Sequence, residues 1–174
     1  MSQTQIFEYE PVKHIYVPML FMPTQRRGLS EKYLKKRLEK QGWEVWRSAL
    51  IDITLRPNLY PNVKKKYERL RKLLEKHRTG TLCHLKYLNI VHHGMPDFLC
   101  HRNGRFKFVE CKLGHEQLQK SQKKCIPKLQ QLGFEVEVHK LAMPCTKVRK
   151  AEITVDNKQK TVMAKQMSLR MRNA

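Results

Sequence analysis

The chain has 174 residues, enough for one domain with a real core plus appendages and too few for two full domains. Its 36 Lys and Arg against 15 Asp and Glu leave a net charge of +21, and the self-repulsion this implies points to a polyanionic partner, with nucleic acid the first candidate. There is no run of about 18 apolar residues, no secretory signal and no basic amphipathic helix with an aromatic face, which argues against a membrane surface and for a soluble, intracellular protein.

In chain order, residues 1–29 read as an N-terminal arm. Its apolar stretch from His14 to Met22 is interrupted by Pro18 and closed by Pro23, the pattern of an edge strand or an extended arm. Ser30 is an N-cap candidate, Glu31 to Gln41 are good helix formers and Gly42 supplies the C′ position, so a helix is expected there. Glu31, Leu34 and Leu38 share one stripe of it; Glu31 either looks into a site or serves the helix dipole. Trp43 to Arg47 reads as a strand. Chain breakers follow from Asp52 to Asn62, and Val63 to Arg78 then predicts a strongly basic helix ended by Gly80, part of an insertion spanning about 56–90. Tyr67, Leu70, Leu73, Leu74 and His77 form its apolar stripe. Lys64, Lys65, Lys66, Arg69 and Lys72 occupy much of the remainder, either contacting DNA phosphates or forming a solvated face. Leu82 to Ile90 fits helix and strand equally.

The stretch from Gly94 to Leu113 carries the chemistry. Asn103-Gly104 is a strong type I′ hairpin signal, because both central residues of that turn need positive φ. A two-residue loop fixes the register: Arg102 faces Arg105, Leu99 faces Phe108 and Asp97 faces Glu110. Alternation then puts Asp97, Leu99, Phe106, Phe108, Glu110 and Lys112 on one face. Two carboxylates opposed at about 5 Å between Cβ atoms repel unless a cation lies between them. Mg²⁺ or Mn²⁺ answers that need, since such hard ions take one or two protein carboxylates and fill the other positions with water and phosphate oxygens. Lys112 beside them can orient the attacking water or neutralise charge on the phosphorane. The structural alternative is that Asp97 caps a strand end and Glu110 merely pairs with Lys112. His92 and His93 either line this site or contact phosphate, and Arg102 and Arg105 beside the turn are further candidates for the nucleic-acid backbone. The five cysteines are an odd number without Cys-x-x-Cys spacing, so reduced thiols are expected rather than a disulfide framework or a zinc knuckle.

His115 to Leu132 predicts a second amphipathic helix, with Gln122 interrupting the stripe of Leu118, Cys125, Leu129 and Leu132. A polar amide there needs a partner, in the neighbouring site or in a purely structural bond. Lys120, Lys123 and Lys124 add positive charge suited to phosphate. Gly133 ends the helix, and Phe134 to Val138 alternate as a strand with one buried face. Residues 141–174 read as a basic C-terminal extension with a small hairpin around Asp156-Asn157, adding phosphate affinity or only solvated charge.

Over residues 30–140 the elements run helix, strand, strand, strand, helix, strand. With Gly94-Met-Pro-Asp97, Glu110-Cys-Lys112, Gln122 and Leu132-Gly-Phe-Glu-Val-Glu-Val138, the chain resembles the PD-(D/E)XK nuclease superfamily. Within it the chain is most similar to the VRR-NUC group, the virus-type replication-repair nucleases, ahead of archaeal-type Holliday junction resolvases. Glu31 and Gly42-Trp43 match the acid and the glycine-aromatic strand start of both groups. The resemblance implies an α/β fold with a restriction-endonuclease-like core (αβββαβ), a central mixed sheet flanked by helices and, here, an inserted basic helix. It implies Mg²⁺ or Mn²⁺ held by Asp97, Glu110 and the backbone carbonyl of Cys111, a water-positioning Lys112, a further acid at Glu31 that binds a second metal or fixes a metal water, and a supporting Gln122. The expected function is a DNA endonuclease that attacks the phosphodiester in line with water and forms no covalent intermediate. It would be selective for branched DNA such as a Holliday junction, in replication, recombination or repair, whether viral or cellular. Symmetric cleavage of a junction needs two sites, so a homodimer belongs to this reading. The rivals are a non-catalytic nucleic-acid-binding protein on a nuclease fold and an RNA-processing nuclease.

Overall fold

A computed structural model of the chain describes residues 11–19, 28–53, 60–114, 116–142, 149–156 and 161–168. The elements are β1 (Lys13–Pro18), α1 (Leu29–Lys40), β2 (Glu44–Arg47), a 3₁₀ turn (Ser48–Leu50), α2 (Pro61–His77), α3 (Thr81–His92), β3 (Phe98–Arg102), β4 (Arg105–Leu113), α4 (Lys120–Gln131) and β5 (Glu135–Ala142). The strands form one five-stranded sheet in the order β1-β5-β4-β3-β2. β5 is parallel to both β1 and β4, while β3 is antiparallel to β4 and to β2. The sheet is therefore mixed, and α1-β2-β3-β4-α4-β5 supplies the αβββαβ order. The arm adds β1 as the edge strand beyond that core, with Pro18 at its end, where a missing N–H does least harm. A separate antiparallel pair, β6 (Arg149–Asp156) and β7 (Thr161–Ser168), places the expected C-terminal hairpin with Asp156 opposite Thr161.

The central hairpin follows from its turn. Asn103 and Gly104 have φ of 50° and 77°, and the register runs from Arg102 opposite Arg105 to Phe98 opposite Val109. Alternation along the strands then separates two cores. On one face, Leu34 and Leu38 of α1 cover Val45, Phe98, Cys100, Val109, Cys111 and Leu141. On the other, α2, α3 and α4 bring Leu70, Leu74, Leu85, Leu88 and Leu129 against Trp46, Leu99, Phe106, Phe108 and Val136. Full burial of each such side chain contributes about 1.5–3 kcal/mol, and this sandwich holds the sheet rigid under the site.

Helix ends differ from the expected ones in informative ways. α1 is preceded by Gly28 at φ 86°, with no side-chain cap, so Ser30 lies inside the helix instead of capping it. Its C-terminus closes as expected: Gly42 N–H donates to Glu39 O and Trp43 N–H to Leu38 O, the paired bonds that a left-handed C′ glycine permits. α4 begins at Lys120 and not His115, because Gln119 is its N-cap. The insertion holds two helices where one was expected. Leu82 to Ile90 lies in α3, with Leu85 and Leu88 buried while Tyr87, Ile90 and Val91 stay exposed, which is why no single periodicity marks it. α2 is an integral wall of the core. Its Lys66 carbonyl accepts from Trp46 Nε1 at 3.0 Å, and its Tyr67 hydroxyl donates to Arg47 O at 3.2 Å. Among the described residues no helix is long and apolar enough to cross a membrane.

Candidate active site

The chain reaches the site through a tightly determined approach. α3 ends at His92, and His93 turns the backbone at φ 45°. Gly94 then passes so close to α4 that a Cβ there would lie 2.3 Å from the carbonyl oxygen of Ser121. After Pro96, the Ser48 hydroxyl donates to Pro96 O and the Ser48 N–H donates to Asp97 O at 3.1 Å. Asp97 is thereby pinned at the mouth of β3 from the end of β2. Gly94→Ala is expected to destabilise the protein by about 1–3 kcal/mol, the usual range for overpacking, since the obstacle is backbone and cannot rotate away. A melting temperature equal to wild type would show that the approach relaxes freely.

A buried carboxylate, Glu110, and a half-buried one, Asp97, meet where β3 and β4 open. Glu110 is 2% exposed; its Oε1 accepts from Lys112 Nζ at 2.8 Å and from Gln122 Nε2 at 2.6 Å, and its Oε2 from the Asp97 N–H at 3.2 Å. Asp97 Oδ2 in turn accepts from the Cys111 N–H at 2.8 Å. Gln122 is the third residue of α4 and closes its capping box: Oε1 accepts from the Gln119 N–H at 3.0 Å while Nε2 reaches Glu110. The interrupted stripe thus has a physical reason, for one amide ties the start of α4 to a site carboxylate.

The Glu110–Lys112 ion pair exists, yet it compensates Asp97 only in part. Burial first, and then the Glu110 charge, push the Asp97 carboxyl up to about 7, with Glu31 adding to the rise and the Cys111 N–H and Lys112 opposing it. A desolvated acid beside a second acid is the electrostatic setting that a divalent cation relieves. Among the described residues no three His, Cys, Asp or Glu side chains assemble into a metal cage. Two carboxylates and a backbone oxygen suit Mg²⁺ or Mn²⁺, which keep open positions for water and substrate; a closed zinc site needs more side-chain ligands. Burial and the neighbouring carboxylates push the Cys111 thiol up to about 12, and the side chain packs in the core beneath α1, on the face opposite Glu110 and Lys112, so the thiol is no candidate ligand. Its carbonyl is, because N–H and C=O of one residue in an antiparallel strand face the same neighbour, and the N–H already meets Asp97.

The remaining site candidates are more dispersed. Glu31 comes from α1, on the sheet face opposite Glu110 and Gln122, so it approaches Asp97 from the other side and does not share their face. Its carboxylate is held by Arg47 Nη2 at 2.7 Å. Arg47 at the end of β2 and Ser48 at the start of the 3₁₀ turn escaped the sequence reading because both act through contacts distant in sequence. His93 is exposed beside Gly94, and Lys120, Lys123 and Lys124 are exposed on the first turns of α4, the helix whose Gln122 enters the site. Lys64, Lys65, Lys66 and Lys72 are exposed on α2, whereas Arg69 is clamped by Glu44 at 2.7 and 2.9 Å. Arg102 and Arg105 lie at the opposite end of the hairpin, about 17 Å from Glu110 along β4 at some 3.4 Å per residue. Arg102 donates to Gln41 O at 2.9 Å and stacks over Trp43, and Arg105 pairs with Glu135 at 3.6 Å, which leaves neither beside the carboxylates.

The VRR-NUC domain profile matches residues 26–142, more than half of the chain. No curated protein matches it. Among solved structures, the crystal structure of paFAN1 bound to 2-nucleotide 5′-flap DNA with a gap is similar, at 13% identity and a TM-score of 0.49. The likeness covers 81% of this chain but only 39% of that one.

Proposed function

The chain belongs to the VRR-NUC domain family, and from that premise we propose that it is a divalent-metal-dependent endonuclease that hydrolyses DNA phosphodiester bonds. The observation that carries this reading is the meeting of two carboxylates, Glu110 Oε2 on the Asp97 N–H and Asp97 Oδ2 on the Cys111 N–H, where burial and the Glu110 charge push the Asp97 carboxyl up to about 7. Asp97, Glu110 and the Cys111 carbonyl would hold Mg²⁺ or Mn²⁺, which when bound supplies an activated water and offsets charge on the phosphoryl oxygens. Lys112, fixed 2.8 Å from Glu110 Oε1, presents its ammonium to the water and to the developing phosphorane charge. Gln122 locks the Glu110 rotamer, and Glu31, held by Arg47, sets the charge on the far side of Asp97. The lysines of α4 and the net charge of +21 draw the phosphate backbone toward this opening. Branched DNA inside the cell, in replication, recombination or repair, is the substrate this reading assigns, with a homodimer supplying paired sites where both strands of a junction are cut.

The test is one gel series with Mn²⁺ or Mg²⁺ comparing junction, flap, duplex and single-stranded DNA and the RNA counterparts. Cleavage that needs the metal and is fastest on branched DNA is the expected result. No cutting above that of Asp97→Asn protein would sink the enzyme reading in favour of a binding module, and faster cutting of RNA would redirect it to RNA processing.

A further inference from the structure

Beside the carboxylates, Lys112 begins a row whose other two side chains have no role so far. β4, β5 and β1 run parallel in register, with Lys112 opposite Lys140 and Lys140 opposite Tyr16. Partners on adjacent parallel strands share a face, and Val136, two steps of alternation before Lys140, sits in the core beneath α4. Lys112, Lys140 and Tyr16 therefore line up across three strands on the face that carries Glu110, spaced about 4.8 Å apart. Lys140 is 6% exposed, and among the described residues no hydrogen bond or carboxylate offsets its charge. Glu110, in the neighbouring row, is already occupied by Lys112 and Gln122. Glu137 faces the other side of the sheet and holds Lys107 and His139. The half-buried Tyr16 hydroxyl likewise has no hydrogen-bond partner among the described residues.

The stem of Lys140 packs on the sheet while its ammonium reaches solvent, so the charge stands at the surface beside the carboxylates with no protein anion among the described residues to satisfy it. An anion that arrives with the substrate can therefore reach it without first breaking an ion pair within the protein. We propose that Lys140, with the Tyr16 hydroxyl beside it, binds a second backbone phosphate of the substrate strand, next to the scissile one that the carboxylate site and Lys112 would take. The proposal rests on the nuclease reading of that site. Its geometry sends the bound strand across β5 toward the edge strand β1, whose outer side no other strand covers among the described residues.

Binding and cleavage separate the two ideas. Flap DNA carrying one neutral methylphosphonate, moved position by position along the strand, is bound in Ca²⁺ to wild-type protein, Lys140→Met and Tyr16→Phe. Wild type is expected to lose about tenfold in affinity at one position, as for a lost charge-assisted hydrogen bond. Lys140→Met is expected to bind unmodified DNA about tenfold more weakly, to lose nothing further at that position, and to lower the salt slope by about 0.9. Tyr16→Phe should blunt the same position only, which keeps the assignment testable if the lysine variant folds poorly. A variant pair with wild-type affinity, salt slope and methylphosphonate profile overturns the phosphate site even if the protein cuts DNA. A Lys140-dependent position in a protein that cuts nothing keeps the phosphate contact and removes the nuclease.

Discussion

Asp97→Asn is expected to lower metal-dependent cleavage by about a thousandfold or more, the several kcal/mol that a bound cation contributes to a phosphoryl-transfer transition state. DNA binding at low salt should survive, because the positive charge is untouched. The folded protein without metal should be as stable as wild type or more so at neutral pH. Asparagine still offers an oxygen to the Cys111 N–H, and it removes a carboxylate that the fold keeps protonated up to about 7. The sign follows from linkage. A raised folded-state value stabilises below the ordinary carboxylate range and loses that contribution as pH climbs through about 7, so the ionised acid is the liability at higher pH. Single-turnover rates in Mn²⁺ and melting curves with and without the ion check both halves; in wild type the ion should raise the melting temperature, and in the variant it should not. Cleavage by Asp97→Asn within tenfold of wild type would refute the assignment of the metal to this pair.

The second large effect concerns stability and lies on the other face of the sheet. Glu137 is 4% exposed and accepts from Lys107 Nζ at 2.7 Å and from His139 Nε2 at 2.8 Å, while Lys107 also sits 4.2 Å from the centroid of the Trp43 ring. Burial alone would raise the Glu137 carboxyl; the hydrogen bonds from His139 and Lys107 and their charges outweigh it and hold the group down at about 2. Glu137→Gln leaves the Lys107 ammonium buried without its counter-ion and is expected to destabilise the protein by about 3–5 kcal/mol, a large share of a typical domain's stability. Replacing both partners, Lys107→Met with Glu137→Leu, should recover most of that loss. In wild type the depressed value means the contribution is present above the ordinary carboxylate pKa and disappears as pH falls toward about 2. Urea titrations between those limits should show wild type and Glu137→Gln converging, and parallel curves would mean that the network does not couple to folding.

Local rules account for what could be read from the chain alone. Asn103-Gly104 dictates a two-residue turn because few other residues adopt positive φ in succession, and the turn carries the register that brings Asp97 to Glu110. Gly42 stops α1 for the same reason. The apolar stripe of α4 made Gln122 conspicuous as an exception, and its bond to Glu110 is the reason it is there. Where local signals ran out, the outcome turned on contacts distant in sequence. Leu82 to Ile90 becomes helix because α2 and the sheet accept Leu85 and Leu88 from one side only. α4 starts late because its capping box includes a side chain whose other end is bound to β4.

The sequence by itself determined the hairpin, the opposition of two acids with a lysine beside them, and a net charge of +21 that calls for a polyanion, since each depends on neighbours within a few residues or on composition alone. Tertiary structure alone decided which groups surround those acids. It sent Glu31 to the opposite face under the hold of Arg47, pinned Asp97 from Ser48, carried Arg102 and Arg105 to the far end of the strands, and set Lys140 and Tyr16 in line with Lys112. The physical reason is that β1 and β5 pair across more than a hundred residues of chain, and no local pattern encodes the register of a parallel pair joined through the whole fold.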